Sequence, residues 1–556
     1  MNMLRRCLAV AAFAAACALG YHPGSLMPAA AETARGPVVE APAGAVEGRL
    51  QGAVRVFKGI PYAAPPIGPL RWRPPQPAAA WTGVRSAAEF GAPCIQPPAG
   101  APNIYSSDIG HASEDCLTLN IWTPADAHNA PVFVWIYGGS LAGGSGREML
   151  YDGTRMAQQG VIVVTINYRL GVLGYFAHPL LSAESPDGVS GNYGLLDQIQ
   201  ALRWVHDNIG AFGGDAANVT IAGESAGGLS VMYLMAAPSA RGLFAKAVAE
   251  SAYMVSAQEL KQTNHGTPSA EATGERLAAA LHATDLASLR ALDAQQLTNV
   301  ATATGFFPFL AIDGKVLPDQ LVNVFDRGEQ AHVPLLAGFN SGEIRSLRFL
   351  TPPPPATANA YESAIRAHYG DLADSYLQLY PSNNLQESMW ATTRDALYGW
   401  TAERLAVKQT AAGAPAYLYI FDHGYPAMDN VGLHAFHASE LPYVFGNTDR
   451  TPPLWPAIPP TDQEHALRDA MVGYWTSFAR TGRPVAAGQQ DWPAYGSEGY
   501  FVAFRDRPIV SRHLMPGMYT LHEEAMCRRR AAGNQPWNWN VGIISPDLTA
   551  HCAGEH

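Results

Sequence analysis

The segment Val219-Thr-Ile-Ala-Gly-Glu-Ser-Ala-Gly-Gly228 constrains the fold of this chain more tightly than any other stretch. An apolar run, Val219–Ala222, enters Gly223-x-Ser225-x-Gly227, and a helical run, Leu229–Ala236, leaves it. In that setting a serine sits on a tight strand-to-helix turn that only small neighbours permit, with its hydroxyl lifted off the sheet. The N–H of Ala226, at the start of the new helix, then has no intrahelical acceptor and is a candidate donor to an oxyanion. A glycine-rich pentapeptide arises easily by chance in a chain with 53 glycines. The strand before it and the helix after it are what make Ser225 a candidate nucleophile.

The surrounding pattern agrees with that local reading. Pro131–Tyr137 and Val161–Tyr168 are continuous β-branched and aromatic runs, typical of strands covered on both faces. Leu195–Phe212 has helical spacing, with Leu196, Ile199, Leu202 and Trp204 on its apolar side. Further strands are expected at Ala245–Ser251, Val333–Phe339 and Ala416–Phe421, and a long helix at His465–Thr481. Strands alternating with helices predict an α/β fold: a mostly parallel central sheet with helices on both faces. Residues 255–330 and 350–410 are richer in helical pattern and are expected to cap the site.

Charge and cysteine usage narrow the setting. Net charge is −11 over 556 residues, with no basic cluster dense enough for a nucleic-acid partner. Arg528-Arg529-Arg530 is expected to be a solvated surface feature. Arg5 and Arg6 precede the apolar stretch Leu8–Leu19, and Ala29-Ala30-Ala31 offers a small-residue cleavage site. Residues 1–31 therefore read as a signal peptide, leaving a single domain over 32–556 that is secreted or periplasmic. No other segment reads as a membrane span. Cys7 and Cys17 fall within the leader, and Ala14-Ala15-Ala16 is a poor context for lipidation at Cys17. Cys94, Cys116, Cys527 and Cys552 remain, and an even number in an exported chain suggests disulfides. Three pairings are open; nearest neighbours, Cys94–Cys116 and Cys527–Cys552, close the shortest loops.

A nucleophilic serine needs a base, and the base needs an orienting carboxylate. In Leu335-Leu-Ala-Gly-Phe-Asn-Ser-Gly-Glu343 a buried strand ends in a short loop, so Glu343 lies just past the strand's C-terminal end, where open α/β sheets place their sites. Spacing alone leaves that role and an exposed loop carboxylate equally open. Among seventeen histidines, His423, His434 and His437 lie late enough and near a strand end. Tyr137-Gly138-Gly139-Ser140, after a strand, is a candidate second source of oxyanion N–H groups.

Three segments carry a resemblance that sharpens these choices: Phe212–Gly228, Glu114-Asp-Cys-Leu-Thr-Leu-Asn-Ile-Trp-Thr-Pro124 and Phe57-Lys-Gly-Ile-Pro-Tyr-Ala63. The chain resembles the type-B carboxylesterases, the α/β-hydrolase group of cholinesterases and bacterial para-nitrobenzyl esterases. The resemblance runs from about Gly36 to about Tyr519, and the tail from about 520 is without a counterpart. It implies Ser225, Glu343 and His437 as the catalytic triad, because His437-Ala-Ser-Glu-Leu-Pro-Tyr-Val-Phe-Gly446 is similar to the family's histidine segment; His434 is second choice. It implies an oxyanion hole from Gly138, Gly139, Ser140 and Ala226, supporting roles for Glu224 and Ser251, and the Cys94–Cys116 pairing. Ser140 stands where a third glycine is frequent, and its Cβ is expected to disfavour a positive φ.

The implied activity is hydrolysis of small-molecule carboxylic esters through an acyl-enzyme, with no metal or organic cofactor. The same triad could also serve amides, thioesters, carbamates or transacylation, or stand on a non-catalytic binding module. The Cys94–Cys116 loop contains Tyr105 but no tryptophan, which argues against a choline-ester specialist. Arg345 and Arg348 could recognise a substrate carboxylate or could pair with acids of the protein itself.

Overall fold

The computed structural model describes residues 36–98, 100–533, 540–549 and 552. The leader expected over 1–31 lies outside the described residues. The strands that build the main sheet are β1 (Arg49–Gln51), β2 (Val54–Pro61), β3 (Thr118–Pro124), β4 (Ala130–Ile136), β5 (Ile162–Ile166) and β6 (Gly214–Glu224). They continue with β7 (Lys246–Glu250), β8 (Leu335–Asn340), β9 (Ala416–Phe421), β10 (Tyr500–Phe504) and β11 (Pro508–Arg512). Across the sheet the order is β1-β2-β3-β5-β4-β6-β7-β8-β9-β10-β11. Neighbours from β5 through β10 run parallel, and the pairs at both edges run antiparallel. This is the α/β-hydrolase arrangement: a mostly parallel sheet with helices.

The apolar runs explain the central strands. Every residue of β4, β5, β7, β8 and β9 is buried. Side chains alternate faces along a strand, so burial at every position requires cover on both sides of the sheet. Among the covering helices are α1 (Tyr193–Asn208), α2 (Ala226–Ala236), α3 (Trp400–Ala411) and α4 (Asp462–Thr481). The last begins three residues before its expected start because the Thr461 side chain caps it, accepting from Glu464 N at 3.3 Å. Helix α3 packs on β8 and β9, so the end of the 350–410 stretch belongs to the sheet's cover and not to a cap. The burial of every residue from Trp400 to Ala406, and of Gln409, is the reason.

After β11 the chain forms α5 (Met518–Ala532). Leu521 and Ala525 enter a small apolar cluster with Tyr361, Tyr369, Tyr376 and Tyr380, and Cys527 is joined to Cys552. The expectation of a solvated Arg528–Arg530 is corrected here. Arg528 reaches Asp371 at 2.6 Å and Glu524 at 2.7 Å, Arg529 donates to Ser545 Oγ at 2.7 Å, and Arg530 reaches Asp326 at 3.1 Å. Arg528 and Arg529 are buried, because docking the helix turns them toward acceptors on the body and the tail. Among the described residues no helix is long and apolar enough to cross a membrane.

Candidate active site

The strand β6 ends at Glu224, α2 begins at Ala226, and Ser225 between them takes φ 57° and ψ −122°. An L-residue rarely adopts such backbone angles, and it persists only where neighbours over-determine it. Here Ser225 N donates to Glu250 O at 3.0 Å, and Leu229 N donates to Ser225 O at 2.9 Å. Close backbone approach demands glycine here, as two positions show. A Cβ on Gly227 would lie 2.0 Å from Ile136 O, so only glycine lets α2 start against β4. A Cβ on Gly138 would lie 2.9 Å from Glu224 O and 3.1 Å from Ser225 Cβ, so only glycine brings the loop after β4 beside the serine.

That loop, Gly138-Gly139-Ser140, lines one cavity with Ser225, Glu224 and His437. Ser140 takes φ 57° and Leu141 φ 58°, which corrects the expectation that a serine would disfavour a positive φ there. The turn is held by Ala142 N and Gly143 N, both donating to Gly139 O at 3.0 Å, and by Gly171 N donating to Leu141 O at 2.8 Å. Ala226 follows the serine as the first residue of α2, so its N–H is among those without an intrahelical partner.

Glu343 follows β8 and is fully buried. It accepts the N–H of Asn340 at 2.8 Å through one carboxylate oxygen and the Nδ1 edge of His437 through the other. The opposite edge of the ring, Nε2, lies 3.1 Å from Glu224 Oε1. Burial disfavours the imidazolium, but the Glu224 and Glu343 charges outweigh it and hold His437 above the usual histidine range. Burial pushes the Glu224 carboxyl upward, and the facing His437 works against that.

The other two histidine candidates are committed elsewhere. His423 Nε2 lies 2.9 Å from Glu464 Oε2 in the core, and half-exposed His434 lies 2.8 Å from Asp429 and 3.4 Å from Asp422. Neither lines the cavity. Ser251 is fully buried at the end of β7, where its N–H donates to Gly338 O at 2.8 Å.

Several contributors escaped the sequence reading. Tyr105 OH lies 2.7 Å from Ser346 Oγ and 2.9 Å from the His437 carbonyl oxygen, so the Cys94–Cys116 loop buttresses the histidine segment. Asn340 Nδ2 donates to Phe436 O at 2.9 Å and to Glu440, linking the glutamate segment to the histidine segment. Asn340 stands three residues before Glu343 and Glu440 three after His437; that spacing was the available signal. Glu148 also lines the cavity, and burial pushes its carboxyl up to about 7 although Ser145 N donates to it at 3.1 Å. Arg345 and Arg348 do not line it; Arg345 pairs with Glu387 at 2.9 Å, and both guanidinium groups sit over Trp390. Among the described residues no group of three or more His, Cys, Asp or Glu is placed to hold a metal ion.

The sequence pattern of the carboxylesterase family matches residues 35–515. The chain belongs to the carboxylesterase family. A fumonisin B1 esterase of Sphingopyxis macrogoltabida is 38% identical over 481 residues, spanning 83% of this chain and 85% of that protein. A para-nitrobenzyl esterase of Bacillus subtilis is 37% identical over 464 residues, spanning 82% and 92%. In three dimensions the chain is similar to a para-nitrobenzyl esterase structure, with TM-score 0.76, 33% identity and cover of 87% and 99%. A Geobacillus stearothermophilus carboxylesterase superposes with TM-score 0.73 at 32% identity, covering 87% and 99%. This member is a carboxylic ester hydrolase, and its substrates are small-molecule esters.

Proposed function

We propose that this hydrolase works through a covalent acyl-enzyme on Ser225. The observation that carries the reading is the meeting, in one cavity, of a strained serine with a histidine whose far ring edge is held by a buried glutamate. His437 takes the Ser225 proton as the hydroxyl attacks the ester carbonyl. Glu343 keeps the ring's Nδ1 proton directed away from the serine and favours the imidazolium that forms. The tetrahedral oxyanion is held by N–H groups drawn from Gly138, Gly139, Ser140 and Ala226. His437 then returns the proton to the leaving alcohol, and water, activated by the same imidazole, frees the acid and regenerates Ser225.

The test compares p-nitrophenyl acetate hydrolysis by the wild type and by Ser225→Ala. Loss of activity by about a thousandfold or more, with an unchanged melting temperature, is expected. Retention of most of the activity in the variant would overturn the proposal.

Export is part of the same reading. The Arg5–Leu19 pattern, the Ala29-Ala30-Ala31 site and two joined cysteine pairs support a protein that leaves the cytoplasm as residues 32–556. Protein recovered outside the cytoplasm should begin at Glu32 by N-terminal sequencing. A start at Met1 contradicts it.

A further inference from the structure

We propose that Arg394 is a positioning residue for the Glu343–His437 pair. From one point it anchors both the turn that delivers Glu343 and the segment whose Tyr398 packs on His437. This deepens the catalytic reading above and rests on it. Arg394 ends the helix Leu385–Arg394, and a single π-helical segment, Asp395–Gly399, follows it before α3. Segments of that kind are rare in proteins and recur at functional sites. Tyr398, within this one, lines the cavity and sets its ring 5.4 Å from that of His437.

Every nitrogen of the guanidinium has a partner. Nε donates to Asp395 Oδ1 at 2.6 Å, Nη1 donates to Ser341 O at 3.0 Å, and Nη2 meets Met515 Sδ at 3.4 Å. Ser341 is the first residue after β8 and stands two before Glu343. Its N–H donates to Phe421 O at 2.8 Å, and Gly342 N donates to Ala435 O at 3.0 Å. The turn thus has backbone anchors on β9 and on the histidine segment, and Arg394 adds a charged one. Burial disfavours that charge, but Asp395 outweighs burial and holds Arg394 above its ordinary value, with Glu343 among the lesser contributors. Asp395 is fixed in turn. Its other carboxylate oxygen accepts from Tyr380 OH at 2.9 Å, and Tyr380 OH lies 2.8 Å from His522 Nε2 on α5. Asp395, Tyr380 and His522 are all buried. The docked tail therefore backs the ion pair, and the ion pair backs the turn.

The same helix also meets the far flank of the turn, where Arg345, two residues after Glu343, pairs with Glu387 at 2.9 Å. The two contacts are unequal. The Glu387 side chain is 47% exposed, whereas that of Asp395 is 3% exposed. An exposed pair contributes little because water and salt screen it, while breaking a buried pair leaves an uncompensated charge. The position of Glu343 therefore depends on Arg394 more than on Glu387. Misplacing a catalytic group by about 1 Å can cost roughly a hundredfold in rate. Arg394 does not line the cavity, so its removal should be felt in kcat and hardly in KM.

The experiment takes two readouts: kcat and KM for p-nitrophenyl acetate, and the downfield proton resonance of His437 Nδ1–H bonded to Glu343. The enzymes are the wild type, Arg394→Met, Arg394→Lys, Tyr380→Phe and Glu387→Gln. Arg394→Met keeps the apolar stem and should lose roughly thirtyfold in kcat, with KM changed by less than about twofold. Its downfield resonance should move upfield or broaden. Arg394→Lys, which restores a cation and a donor, should recover most of both. Glu387→Gln should stay within about twofold of the wild type. Where Arg394→Met does not fold, Tyr380→Phe decides the case on the same readouts, because it leaves the ion pair in place; a loss of about fivefold in kcat is expected. An unchanged kcat, a loss carried by KM, or an unmoved resonance in the deciding variant overturns the proposal. So does an equal loss in Glu387→Gln, which would reduce Arg394 to general support of the helix, or an Arg394→Lys variant as impaired as Arg394→Met. A wild type without the downfield proton, or a Ser225→Ala variant that still hydrolyses the ester, counts instead against the triad beneath it.

Discussion

Glu224 faces the Nε2 edge of His437, the edge that receives the proton in the proposed mechanism, and this gives it a measurable electrostatic effect. In the proposed mechanism the free imidazole accepts the Ser225 proton, so anything that favours the imidazolium moves the acidic limb of activity to higher pH. Glu224 does so from 3.1 Å. Replacing it with glutamine should therefore move the acidic limb of the kcat/KM profile down by about one pH unit or more. An unmoved limb, or one displaced upward, would show that its charge does not act on the ring. Gly138 makes a steric prediction. In Gly138→Ala the new methyl meets Glu224 O and Ser225 Cβ, so the Gly138–Ser140 loop, the proposed oxyanion hole, must retreat. The expected loss is about a hundredfold in kcat, with a smaller change in KM; undiminished kcat would contradict the loop's position. The strand-to-helix turn at Ser225 was legible because G-x-S-x-G carries its own mechanical context. Glu343 and His437 were not separable from alternatives by spacing; the family segment around His437 chose between them, and the Asn340 and Glu343 contacts now supply the physical reason. The roles of Tyr105 and Glu148 were illegible because they depend on how the folded chain brings segments together, and Glu440 offered only its spacing from His437.

The central strands were legible for a simple reason: burial on both faces leaves a continuous apolar run with little ambiguity. Ends were less so, since caps such as Thr461 act through a single side chain. The tail was the hardest element to place. Its arginines have the composition of a surface, and only the docking of α5 against Asp371, Ser545 and Asp326 turns them to use. His522 of α5 is buried 2.8 Å from Tyr380 OH, whose hydroxyl donates to Asp395 Oδ2 at 2.9 Å. Burial lowers His522 to about 4. The folded state thus holds it neutral while the unfolded chain binds a proton near the ordinary histidine value of about 6.5. Its contribution is complete above about pH 6.5 and falls away between there and pH 4, by of order 3 kcal/mol. Chemical denaturation of the wild type and His522→Asn across that range should show a shallower pH dependence in the variant; identical slopes would contradict it. The Cys94–Cys116 loop, with its ends 22 residues apart, closes a segment that holds Tyr105 against His437. Cys94→Ser with Cys116→Ser should cost about 3 kcal/mol of stability and also lower kcat. A stability loss with kcat intact would leave Tyr105 without a positioning role.

Taken together, the sheet supplies a rigid platform on which four separate strand ends converge. The loop after β4, the serine after β6 and the glutamate after β8 lie just past their strands, while His437 lies sixteen residues beyond the end of β9. That distribution is why a single nucleophile motif predicted the architecture: the elbow requires a parallel strand, a following helix and neighbours whose ends reach the same edge. The longer return to His437 is why no local pattern identified the proposed base. The most direct measurement is covalent. The wild type is incubated with diethyl p-nitrophenyl phosphate, which serine esterases attack but release slowly, and the adduct is located by intact and peptide mass spectrometry. One diethylphosphoryl group per chain, on the peptide carrying Ser225 and absent in Ser225→Ala, is the expected result. A stoichiometric adduct on another residue, or ester hydrolysis that continues with Ser225 blocked, would contradict the mechanism.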